Sequence, residues 1–112
     1  MLVELPQGIH IMPSPRKTLG LIPARGGSKG IPNKNRKPFL GRPLIEWTIS
    51  TALASKALDR IIVSTDDPEI RKIALSSGAE CPFVRPTELA TDDASTAAVA
   101  RHTVEWLDSK EG

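Results

Sequence analysis

The residue types most able to do chemistry lie in one stretch, Arg25-Gly26-Gly27-Ser28-Lys29-Gly30-Ile31-Pro32-Asn33-Lys34-Asn35. Gly26, Gly27 and Gly30 let a backbone turn sharply and approach a ligand with no Cβ in the way. Exposed N–H groups in a loop of this kind, here through Gly26, Gly27 and Ser28, form a concave anion site. Arg25 offers a planar fork of donors, and Lys29 and Lys34 add compact positive charge. No acidic residue occurs between Glu4 and Glu46, whereas eight lysines and arginines run from Arg16 to Arg42. The ligand this predicts is a polyanion, most economically a nucleoside triphosphate. The motif is not a Walker A loop, and its glycine spacing is not that of a dinucleotide fingerprint. A basic, solvated connector is the plainer alternative, but a loop so punctuated directly after a strand is seldom only a connector.

Such a loop must be held by regular elements, and the flanking sequence supplies them. Leu19-Gly20-Leu21-Ile22 is an apolar run broken at Pro23, which predicts a buried strand over 17–22. Pro43 suits the first turn of a helix running to about residue 56, with Ile45, Ile49, Ala52 and Leu53 on one face. The β-branched run at 60–65 predicts a second strand buried on both faces. Asp67 can cap the next helix, with Pro68 at its first position, Glu69 near its positive end and Gly78 as its stop. A third strand is expected over 79–84, a polar loop over 85–93 and a last helix over 95–108. The fold predicted is α/β, a Rossmann-like parallel sheet with flanking helices and right-handed crossovers. Ligands in such sheets sit beyond the carboxyl ends of the strands, so the Arg25 loop, Asp66 and Arg85 are expected on one rim. Residues 1–16, with Pro6, Gly8, Pro13 and Pro15, read as a flexible leader outside a unit spanning 17–112.

Composition narrows the class further. The chain has 112 residues, 39% of them hydrophobic and 25% charged, as in an ordinary single globular domain. The net charge of +2 conceals a division, since twelve of the thirteen acidic groups follow residue 45. Two Phe, two Trp and no Tyr leave little to stack on bases, which argues against a nucleic-acid partner. No apolar run is long enough to span a membrane and the start does not pattern as a signal peptide, so the cytoplasm is expected. Cys81, the sole cysteine, sits in an apolar run and reads as a buried structural thiol. The spacing of His, Cys and carboxylates offers no zinc site. Asp66 and Asp67 are adjacent carboxylates of the kind that bind Mg²⁺, but the capping role of Asp67 weighs against it, and no metal ligand is assigned.

A resemblance adds to this reading. Ile22-Pro23-Ala24-Arg25-Gly26-Gly27-Ser28-Lys29-Gly30-Ile31-Pro32-x-Lys34-Asn35 resembles the signature of the acylneuraminate cytidylyltransferases, the CMP-sialic acid synthetases and their bacterial relatives. It continues in Gly41-Arg42-Pro43-Leu44-Ile45, Val63-Ser64-Thr65-Asp66-Asp67-Pro68-Glu69-Ile70 and Arg85-Pro86-x-Glu88-Leu89-Ala90-x-Asp92, and covers about 18–107. The implied fold is the nucleotide-diphospho-sugar transferase type. The implied activity is transfer of CMP from CTP to a sialic-type nonulosonic acid, with pyrophosphate released. Arg25, Lys29 and Lys34 would then act on the triphosphate as catalytic residues, and Arg25, Asn35, Arg85 and Thr96 match positions implicated in nucleotide binding. Arg85 has an alternative as an ion-pair partner of Glu88 or Asp92, and Thr96 as part of a helix start. The family is roughly twice as long, and the resemblance places its sugar-acid segment, its Mg²⁺ carboxylates and a homodimerisation arm downstream of Gly112. A truncated form is therefore expected, gripping nucleotide without transferring it and leaving a sheet edge unpaired. A catalytically silent CTP-binding module, or a cytidylyltransferase for another sugar acid, remains the alternative.

Overall fold

The computed structural model describes residues 3–4, 9–13, 18–24, 38–39, 41–55, 58–91 and 95–111. Strand β3 (Thr18–Pro23) and strand β6 (Arg60–Ser64) are its centre, paired in parallel with Leu19 opposite Arg60 and Pro23 opposite Ser64. Strands β1 (Val3–Glu4) and β2 (His10–Pro13) extend the sheet on the β3 side, in the order β1-β2-β3-β6. Strands β4 (Pro38–Phe39) and β5 (Arg42–Pro43) form a separate small hairpin, turned at Gly41, whose φ of 83° suits a residue without a Cβ.

The parallel centre follows from the sequence. Ile61, Ile62, Val63 and Ser64 are all buried, as a strand covered on both faces requires. Ile61 and Val63 join Ile22 in a core with Ile45, Ile49 and Ala52 of helix α1 (Leu44–Ala54) and Ile70 and Ala74 of helix α2 (Pro68–Ser76). Leu19, Ile62 and Phe83 form the opposite core, against Trp106 and Leu107 of helix α3 (Thr96–Glu111). The result is three layers, with α1 and α2 on one face and α3 on the other.

Capping sets the ends of the helices. Asp67 Oδ1 accepts the N–H groups of Glu69 at 2.8 Å and Ile70 at 3.4 Å, with Pro68 opening α2. Gly78 (φ 97°) ends that helix, and Ala79 N–H returns to the Ala74 carbonyl at 3.0 Å. At α1, Pro43 stands just before the first turn rather than within it.

Three expectations change. The sheet is mixed, because β2 pairs antiparallel with β3, His10 lying opposite Leu21 and Pro13 opposite Thr18. Residues 9–13 therefore do not behave as a leader outside the fold; Ile9 is 1% exposed and belongs to the α1–α2 core. The third strand contracts to a single parallel bridge between Ile62 and Glu80, because Pro82 has no N–H to continue a ladder.

Candidate active site

The carboxyl ends of β3 and β6 meet on one rim. β3 gives way to Ala24, which is 1% exposed and whose N–H donates to the Ser64 carbonyl at 2.9 Å. The chain leaves that bond directly into the glycine-rich stretch. Arg25, Gly26, Gly27, Ser28, Lys29, Lys34 and Asn35 themselves lie outside the described residues. What the structure fixes is the root from which they start.

β6 ends in a compact turn. Thr65 is buried; its hydroxyl accepts the Asp67 N–H at 3.0 Å and its carbonyl accepts the Arg85 N–H at 2.8 Å. Asp66 is exposed beside it. Arg85 arrives on the same rim with only 4% of its surface exposed. Its Nε–H donates to Ser64 Oγ at 3.1 Å, and its two terminal nitrogens donate to the carbonyls of Ser64 at 2.6 Å and Leu89 at 3.2 Å. These contacts tie β6 to the short 3-10 turn Thr87–Leu89. Glu88, one ion-pair partner weighed from the sequence, is exposed on that turn, and Asp92 lies outside the described residues.

Thr96 is exposed at the first position of α3. The cap is its neighbour, Ser95, whose hydroxyl accepts the Ala98 N–H at 3.1 Å. Trp106 and Leu107 of α3 pack against the core of Leu19, Ile62 and Phe83, the Trp106 ring 5.5 Å from that of Phe83. The structure thus brings the loop root, Asp66 and Arg85 to one edge of the sheet. Sequence reasoning missed Ser64, whose only signal was a hydroxyl ending an otherwise apolar strand.

Other groups offer less to a polyanion. A cleft of about 440 Å³ between α1 and α2 is walled by Arg42, Glu46, Glu69 and Lys72 among others. Its charges are mixed, and Arg42 is already engaged by Glu46 at 3.0 Å, by Ser50 at 2.8 Å and by the Trp47 ring at 4.2 Å. That cleft does not suit a polyanion. Cys81 is buried, and burial pushes its thiol above the ordinary value, partly opposed by Arg71. A thiol so placed is a poor nucleophile. His102 packs edge-on against Phe83 at 4.8 Å. No helix among the described residues is long and apolar enough to cross a membrane.

The fit to a divalent metal is equally concrete. Among the described residues no group of three or more His, Cys, Asp or Glu gathers in one place. At the rim the carboxylates are Asp66 and Asp67, and one oxygen of Asp67 already accepts two backbone N–H groups. These residues do not make a Mg²⁺ site by themselves.

Comparison with known proteins bears on this rim. Residues 19–109 match the family model described as cytidylyltransferase. The chain is 50% identical over 94 residues to the pseudaminic acid cytidylyltransferase of Campylobacter jejuni subsp. jejuni serotype O:2, covering 84% of this chain and 40% of that protein. It is 43% identical over 88 residues to the N-acylneuraminate cytidylyltransferase of Escherichia coli O18:K1:H7, covering 79% and 21%. Against the CMP-N,N'-diacetyllegionaminic acid synthase of Legionella pneumophila it is 46% identical over 76 residues, covering 68% and 33%. The chain thus spans less than half the length of each of these relatives. A solved CMP:2-keto-3-deoxy-manno-octonic acid synthetase complexed with CTP superposes with a TM-score of 0.62 over 78% of this chain and 34% of that one, at 24% identity. That likeness concerns the fold.

Proposed function

This chain belongs to the cytidylyltransferase family, and from that premise we propose that residues 17–112 form the nucleotide-gripping part of an enzyme that moves CMP from CTP to a sialic-type nonulosonic acid, releasing pyrophosphate. The observation that carries the reading is the convergence, on one carboxyl rim, of the root of the glycine loop at Ala24 with the Arg85 guanidinium. The identity to enzymes named for pseudaminic, N-acylneuraminic and legionaminic acids supports the class of acceptor.

Nucleotidyl transfer requires a triphosphate held still, its charge offset, and an attacking hydroxyl aimed at the α-phosphorus. In this reading Arg25 fixes phosphate oxygens with its fork, while the backbone of Gly26, Gly27 and Ser28 wraps the anion. Lys29 and Lys34 offset charge on the departing pyrophosphate, each contact worth about 2.7–4 kcal/mol if oxyanion-hole donors are a guide. Asn35 meets the cytosine edge with a donor and an acceptor together. Arg85 and Thr96 complete the nucleotide site from the other side of the rim. Mg²⁺, when bound, would supply further charge stabilisation to the transferring phosphate. Cytoplasmic location and homodimerisation belong to the same proposal.

Thermal unfolding with and without ligand tests it. CTP should raise the melting temperature, and Arg25→Ala should remove that shift while leaving the unliganded transition in place. Asn35→Ala should weaken CTP more than inorganic triphosphate, since only the nucleotide presents a base. Equal CTP shifts for wild type and Arg25→Ala would take Arg25 out of the site.

A further inference from the structure

Ser64 occupies a junction that its place at the end of a strand does not require. It is fully buried, the last residue of β6. Its carbonyl accepts two donors at once, the Ala24 N–H at 2.9 Å and a terminal nitrogen of Arg85 at 2.6 Å. Its hydroxyl accepts the Nε–H of the same guanidinium at 3.1 Å. One residue therefore touches both the root of the loop that carries Arg25 and the side chain that approaches from the opposite part of the rim. The Leu89 carbonyl holds another nitrogen of the fork at 3.2 Å. A guanidinium held along its edge by fixed oxygens has lost its rotamer freedom before any ligand arrives, which is how preorganisation raises affinity.

We infer that Ser64 is a positioning residue for nucleotide binding, its hydroxyl setting the Arg85 fork against the carbonyl that also anchors the root of the glycine loop. The inference rests on the reading of Arg85 and that loop as triphosphate-binding groups. Were Ser64 only a buried partner for buried donors, its loss would lower stability and leave the affinity of the folded protein alone.

A double-mutant cycle on the full chain separates the two. CTP is titrated calorimetrically into wild type, Ser64→Ala, Arg85→Lys and the double variant, with melting temperatures recorded alongside. Lysine keeps the charge of Arg85 but cannot bond the hydroxyl and carbonyl of Ser64 as a fork does. Ser64→Ala should weaken CTP roughly tenfold, a difference of about 1.4 kcal/mol. Arg85→Lys should weaken it at least as much, and the double variant should bind no worse than Arg85→Lys alone, because no fork is left to hold. A multiplicative loss in the double variant overturns the inference, as does unchanged affinity in Ser64→Ala with only a lower melting temperature. Where Ser64→Ala does not fold, Ser64→Cys replaces it in the cycle, keeping the volume but offering a weak acceptor. Wild type that binds no CTP defeats the nucleotide reading itself, and the inference with it; a wild type that binds, with multiplicative losses, defeats only the role given to Ser64.

Discussion

Asp67 shows how one carboxylate can be mistaken for another kind. Beside Asp66 at a strand end it has the look of half a metal site, yet its Oδ1 lies 2.8 Å from the Glu69 nitrogen and 3.4 Å from that of Ile70. The Thr65 hydroxyl holds its own N–H at 3.0 Å, so the residue is fixed as a helix cap from both sides. Asp67→Ala should therefore lower stability by about 1 kcal/mol, and Asp67→Asn should cost little, because asparagine caps as well as aspartate. Urea unfolding midpoints read the difference. A loss for asparagine as large as for alanine would show that the charge matters more than the acceptor. This role was legible in the sequence because a cap is a local arrangement, spelled by Asp67-Pro68-Glu69 within one turn. The Ser64 junction was not, since its partners stand 40 and 21 positions away and nothing near it announces them.

At the scale of elements, the sequence reading succeeded where periodicity was long and failed where strands were short. The runs now seen as α1, α2, α3, β3 and β6 carry their own pattern of apolar spacing. β2 does not, with four residues ending in proline and Pro6, Gly8 and Pro15 nearby. Proline is tolerated there because it sits at the end of a strand. Ile9, just before β2, gives the quantitative check. With 1% exposure and neighbours in the α1–α2 core, Ile9→Ala should cost about 2–5 kcal/mol in denaturant unfolding. A leader outside the fold would give a change near zero. The strand expected at 79–84 was over-read for the opposite reason, an apolar run that Pro82 interrupts. What holds that segment is the bridge at Glu80 and the pair of bonds from Arg60 to its carboxylate, at 2.9 and 2.6 Å. That ion pair is part-exposed, so it contributes modestly.

For the molecule as a whole, the order of layers and the meeting of Ala24 and Arg85 on the carboxyl rim were readable, because a parallel sheet dictates both once its strands are found. Less readable was how the sheet closes at its far side. There, at the amino ends of β3 and β6, Thr18 N–H donates to Asp59 Oδ2 at 2.7 Å and Asp59 N–H donates to the Thr18 carbonyl at 2.8 Å. These residues are 41 positions apart in the chain, whereas β2 reaches β3 across a short connection. That difference in span has a consequence in time. Long closures are entropically slower than short ones, so the β2–β3 hairpin should appear first during refolding and the parallel pair afterwards. Pulse labelling with deuterium should find the amides of β2 protected before that of Ala24; simultaneous protection would put the parallel pair in the nucleus. On this schedule the mouth of the proposed nucleotide site is finished late, after the β2 side of the sheet.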